Sequence, residues 1–160
     1  MGKYPIRVYA DTSVFGGAFD DEFQNASVLF FNAIRERRFL LVVSDIVRRE
    51  ITVAPKQVLS LFDEMLVLAE IAEITDNALH LRTAYLEAGI LAPRWLDDAL
   101  HVALATVSRC DMIVSWNFKH IVHFDKIPLY NAVNTLQGYD EICIYSPLEV
   151  IGYGNEDENL

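Results

Sequence analysis

The chain has 160 residues, enough for one domain with a sizeable core, and its 52% hydrophobic and 22% charged residues are the proportions of a compact protein. No apolar run approaches the roughly 18 residues of a membrane span, so no membrane association is expected. A net charge of −10 excludes nucleic-acid binding by general basicity, which depends on Lys and Arg neutralising phosphates; an acidic site that meets phosphate through metal ions, or a basic protein partner, remains compatible with it.

Residues 1–9 lack the apolar core and small-residue cleavage site of a secretory signal. Cys110 and Cys143 lie in apolar sequence at no metal-ligand spacing, so both are expected to be core thiols of a cytoplasmic protein. The first element, IRVYAD, is a short β-branched and aromatic run ending at Asp11, and QNASVLFFNAIRERRF spaces its apolar residues as a helix does. LLVVSD is a continuous apolar run that suits a strand covered on both faces, and Ser44 or Asp45 is placed to cap a helix through IVRREI. Pro55 fits the first turn of a helix to about Ala69, IAEI is a short apolar stretch of open type, and Thr75 or Asp76 starts a helix to Glu87 with Gly89 beyond it. The middle of the chain thus reads as a helical pair.

Pro93 stops what precedes it, Asp97 or Asp98 begins a helix through Ser108, and DMIVSW is the third clear strand. Residues 120–139, with Pro128 and Gly138, read as a loop, and EICIYS is the last strand. The expectation is a single domain over residues 1–153 with an acidic tail at 154–160, of α/β class with three layers and a mainly parallel central sheet.

In such sheets the functional crevice lies beyond the carboxyl ends of the strands. Asp11 ends the first strand, Glu50 lies in the helix after the second, Asp98 begins the helix before the third, and Asn117 follows that strand. Each has an ordinary reading as well: a side-chain turn for Asp11 with Thr12 and Ser13, a helix cap for Asp97 or Asp98, an Arg48 or Arg49 partner for Glu50, a loop start for Asn117. Their order along the chain is what makes them a candidate site.

VYADTSVFGG, the glutamate of VRREI, DDALHVALAT and DMIVSWNFKHI resemble, in that order, the signature blocks of PIN-domain ribonucleases, especially the VapC-type bacterial toxins. The resemblance runs from about Arg7 to Ile121 and implies a PIN-like fold and a metal-dependent ribonuclease. It implies Asp11, Glu50 and Asp98 as the family's three acids and metal ligands. Asn117 stands where a fourth acid is common; it keeps a carbonyl oxygen without the charge and is expected to act with the acids as an outer ligand or water positioner. Homodimerisation and an antitoxin partner that silences the site belong to the same implication.

The chemistry is coherent in its own right. Hydrolysis of an RNA phosphodiester builds negative charge on oxygen, and Mg2+ or Mn2+ prefers oxygen ligands. Thr12, Ser115 and Asp97 are placed to orient the carboxylates, and Arg48, Arg49 and Lys119, with Arg94 and His120, are candidate phosphate contacts. His101, three residues after Asp98, shares its helix face but suits a core histidine better. Phe15-Gly16-Gly17 suits a tight loop, and Trp95 and Trp116, which flank the site in sequence, are candidates to stack a base. The competing expectation is a noncatalytic PIN-like binding module whose acidic edge accepts a basic partner residue.

Overall fold

The structure is a computed structural model that describes residues 5–153; the expected acidic tail at 154–160 lies outside the described residues. Five parallel strands form one sheet: β1 (Ile6–Ala10), β2 (Phe39–Ser44), β3 (Ala69–Ala72), β4 (Met112–Val114) and β5 (Cys143–Tyr145), in the order β3-β2-β1-β4-β5. Every pairing is parallel, with Tyr9 opposite Val42 on one side and Ile113 on the other. A parallel sheet needs a crossover between neighbours, and helices supply it.

Those helices are α1 (Thr12–Gly17), α2 (Gln24–Arg35), α3 (Asp45–Ile51), α4 (Lys56–Leu66), α5 (Asp76–Glu87), α6 (Leu96–Val107), α7 (Ile127–Leu136) and α8 (Pro147–Val150). They pack as two groups, α1–α4 with α8 and α5–α7, which makes the three-layer α/β arrangement expected from the sequence. The central strand carries the most deeply buried run: Val8, Tyr9 and Ala10 are wholly inaccessible. Phe15 of α1 packs on Phe31 of α2 and Phe62 of α4, with ring centroids 5.0 and 5.2 Å away. Each such buried ring contributes about 1.5–3 kcal/mol of transfer free energy, enough to hold α1 against α2 and α4.

Several elements differ from the sequence expectation. The open stretch after α4 is β3, an edge strand with no fully buried residue, which is why its hydrophobic signal is weak; α4 itself stops at Leu66. Residues 127–136 are helix rather than loop. Pro128 sits in the first turn of α7, where it removes no helical hydrogen bond, and the asparagines are structural. Asn131 accepts from the Ile142 N–H and donates to the Ile142 carbonyl, while Asn134 bonds Tyr85 and Thr106. Cys110 is buried, as expected, but Cys143 is exposed, because β5 is an edge strand and this residue faces outward.

Phe15-Gly16-Gly17 is the end of α1, not a loop. Gly17 is there for close packing: a Cβ would lie 2.6 Å from Trp116 Nε1 and 2.7 Å from Ser27 Oγ, the two atoms of a buried hydrogen bond. Gly17→Ala is therefore expected to lower stability by about 1–3 kcal/mol through overpacking. Thermal unfolding followed by tryptophan emission checks this; a melting temperature equal to wild type would contradict the close approach.

Candidate active site

The sheet order reverses direction at β1, with β2 on one side and β4 on the other. At such a switch point the connections leave in opposite directions and open a crevice beyond the strand ends. Asp11 follows β1 at this point, and Ser115 follows β4. Asp11 occupies the N-cap position of α1, yet its carboxylate makes no capping bond. It accepts instead from Ser13 Oγ at 2.5 Å and Ser115 Oγ at 2.6 Å, while its backbone N–H donates to the Val114 carbonyl at 3.4 Å. The residue is 4% exposed, and burial raises the carboxyl pKa against the opposing effects of the His101 charge and the two serine hydroxyls.

Glu50 reaches the same crevice from the last turn of α3. Ser44 caps this short helix by accepting from the Val47 N–H, so strand β2 turns directly into it. The glutamate pairs with neither Arg48 nor Arg49. Its Oε1 accepts from His101 Nε2 at 2.6 Å and from Thr12 Oγ1 at 3.1 Å. His101 is completed on its other side by Tyr9, whose hydroxyl lies 2.8 Å from Nδ1 and 2.7 Å from Ser44 Oγ. Burial acts to lower the His101 pKa, but the bond to Glu50 and then the charges of Asp11, Glu50 and Asp98 outweigh it and raise the value. Burial acts the other way on Glu50, and the His101 bond and charge, with Thr12, hold the carboxyl below its ordinary range. The core expectation for His101 is right about burial and incomplete about role: the buried imidazole bonds Glu50 on one side and Tyr9 on the other.

Asp98 lies in the first turn of α6, which is entered through a 3₁₀ turn at Pro93–Trp95. Neither Asp97 nor Asp98 caps the helix, because Trp95 holds the N-cap position and makes no side-chain cap. Asp98 Oδ2 instead accepts from His120 Nδ1 at 2.7 Å. Asn117 takes the loop-start role: its Oδ1 accepts from the His120 backbone N–H at 2.9 Å, and its own N–H donates to Ser115 Oγ at 2.9 Å. Asp11, Ser115, Asn117, His120 and Asp98 are thus joined by hydrogen bonds across the crevice. Asp97 is exposed and bonds none of them. Arg48 and Arg49 are exposed on α3, with Arg48 3.6 Å from Asp45.

Ser13, His101 and His120 carry more of the site than their sequence suggested. For His101 the three-residue spacing from Asp98 was the available signal, and for Ser13 its place two residues after Asp11, where it makes the side-chain turn; the bond of His120 to Asp98 spans 22 residues and leaves no local signal.

A hard divalent cation suits this site in donor chemistry: the acids offer only oxygen, and each hydroxyl-bonded oxygen of Asp11 retains a lone pair. The spacing does not close on an ion as it stands. Among the described residues no group of three His, Cys, Asp or Glu side chains is placed to hold one. Glu50 is drawn to His101 and Asp98 to His120, so the expected three-acid cradle is gathered but open.

No family model and no curated protein matches the chain. Among solved structures, FitAcB from Neisseria gonorrhoeae is similar over 89% of this chain and 99% of that one, with a TM-score of 0.59 at 11% identity. VapBC2 from Rickettsia felis, solved bound to a DNA fragment from their promoter, is similar over 88% and 98%, with a TM-score of 0.56 at 15% identity. These likenesses span nearly the whole chain and show that its fold is PIN-like.

The His101–Glu50 pair has a defined pH signature. A raised histidine pKa stabilises fully below the ordinary 6.5 and is lost as pH rises through the folded value, while a depressed glutamate pKa stabilises above 4.5 and is lost as pH falls through the folded value. The stability gap between wild type and Glu50→Gln should peak between 4.5 and 6.5 and narrow toward pH 9. NMR titration of the His101 ring should show a pKa above 6.5 that falls in the variant. An unchanged His101 titration in Glu50→Gln would contradict the pairing.

Proposed function

We propose that this protein is a Mg2+- or Mn2+-dependent endoribonuclease that hydrolyses RNA phosphodiester bonds, and that it is the toxin of a type II toxin–antitoxin pair. The observation that carries the proposal is the hydrogen-bonded set of acids at the switch point of a parallel PIN-like sheet: Asp11 held by Ser13 and Ser115, Glu50 by His101 and Thr12, and Asp98 by His120. The VapC-type motif order and the likeness in fold to FitAcB and VapBC2 agree with it.

Asp11, Glu50 and Asp98 would hold the cation. When bound, it would supply charge neutralisation for the phosphate and an activated water. The chain's own residues prepare the site. Ser13 and Ser115 fix both oxygens of Asp11, and Thr12 and His101 fix Glu50. His120 holds Asp98 and shares the Asn117 turn that closes the crevice. Burial makes an uncompensated Asp11 charge costly, and a cation there would offset that cost. Asn117 contributes no charge, and its side-chain oxygen already accepts a backbone N–H; it acts as a positioning residue for the His120 turn.

An acidic site of this kind also accepts a basic side chain, and an antitoxin that inserts an Arg or Lys between the same carboxylates would silence the enzyme. Binding by the antitoxin and catalysis then compete for one set of oxygens.

Incubation of the protein with a pool of RNAs should give manganese-dependent cleavage that a chelator abolishes. Asp98→Asn and Asp11→Asn should each lower the rate on the order of 100-fold or more, the scale on which one pre-organised charged group acts. The melting temperature of Asp11→Asn should stay within a few degrees of wild type, since the substitution removes a buried charge and keeps the side-chain shape. Wild-type cleavage by either variant would overturn the site, and cleavage that persists in chelator would overturn the metal requirement.

A further inference from the structure

Trp95 forms the 3₁₀ turn that leads into α6, three residues before Asp98. It is half-buried, and two cations lie on its ring: Arg94 Cζ at 5.2 Å and Lys119 Nζ at 5.5 Å from the centroid. The His120 ring stands 4.4 Å away, tilted by 40°, and is the same imidazole that bonds Asp98. Arg94 and Lys119 are exposed, and neither has a carboxylate partner among the described residues. Two unpaired cations converging on one indole at the rim of an acidic site are notable in a chain of net charge −10. The other tryptophan differs in every respect: Trp116 is buried, donates to Ser27 and stacks on Phe23 at 4.2 Å.

We propose that Trp95 is a stacking platform for one unpaired base of the substrate strand, with Arg94 and Lys119 meeting the phosphates on either side of that base. The inference rests on the nuclease reading and adds a substrate preference to it. An indole face accepts any base, so the platform confers position rather than sequence. Arg94 and Lys119 have long exposed side chains that can swing from the ring to a phosphate when a base takes the face. Because Trp95 is joined to Asp98 through a helix start and through His120, a base held on Trp95 sets a neighbouring phosphate against the carboxylates. A base inside a duplex has no free face, so single-stranded RNA is preferred over paired RNA.

The test is a fluorescence titration of chelator-treated protein with an unlabelled single-stranded RNA of about ten nucleotides and with its duplex, followed by manganese-dependent cleavage kinetics on the single strand. The wild type should bind the single strand with quenching of tryptophan emission, and the duplex more weakly. Trp95→Leu should bind about tenfold more weakly, with KM raised and kcat largely kept, and Trp95→Phe should recover most of the affinity through its own aromatic face. Residual Trp116 emission in both variants should not respond to RNA. If wild type cleaves and Trp95→Leu matches it in both KM and kcat, the platform is overturned and the nuclease reading stands. Trp95-dependent quenching without cleavage would support the platform and overturn the nuclease reading. A wild type that neither binds nor cleaves RNA, including one that captures only a basic protein, overturns both.

Discussion

A carboxylate buried at the end of the central strand is the constraint around which the rest of the site is arranged. Asp11 can be kept in that position only if both its oxygens are hydrogen-bonded, because an unpaired buried charge would cost several kcal/mol. Ser13 and Ser115 provide those bonds from the two chain segments that leave β1 and β4. The same serine of β4 accepts from the Asn117 N–H, and Ser13 accepts from the Trp116 N–H, so satisfying Asp11 also fixes the course of the chain after β4. That course delivers His120 to Asp98. Packing behind it is equally committed: Gly17 leaves room for the Trp116–Ser27 bond that anchors this turn to α1 and α2.

Charge balance in the crevice follows from one histidine. His101 comes from a helix whose other residues from Ala99 to Thr106 are also buried, and its ring would ordinarily be neutral there. Glu50, with Asp11 and Asp98 nearby, opposes that preference and raises the His101 pKa. The resulting ion pair is lopsided in exposure, the histidine side chain at 2% and the glutamate at 36%, so the carboxylate is the member that can turn toward a ligand. The Glu50 oxygen that does not bond His101 is free to meet a ligand.

The parts of the fold legible in the sequence are those with strong local signals. LLVV and MIV are continuous apolar runs because a parallel strand is covered on both faces, IRVYA is a β-branched and aromatic run broken by Arg7, and α2, α3, α5 and α6 show helical spacing. The edge strand β3 and helix α7 were not legible. The first is half-exposed and buries too little to show a pattern. The second has its apolar spacing interrupted by asparagines whose partners, Tyr85, Thr106 and Ile142, lie far along the chain. The site shows the same division. Asp11, Glu50 and Asp98 were readable as the acids of a resembling family, and the structure places them in hydrogen bonds to Ser115, His101 and His120 respectively. That each would be hydrogen-bonded by a residue from another element, leaving the cradle open, depends on distances that spacing along a chain does not encode.

The central claim is that these three acids receive one divalent cation, and it is most directly tested by titrating manganese into chelator-stripped protein by calorimetry, with and without a noncleavable single-stranded oligonucleotide, beside Asp98→Asn. Wild type should bind manganese, more tightly with the oligonucleotide as phosphate oxygen completes the open cradle, and the variant should lose that binding. Equal binding by wild type and Asp98→Asn, or no binding to wild type even with the oligonucleotide present, would contradict it.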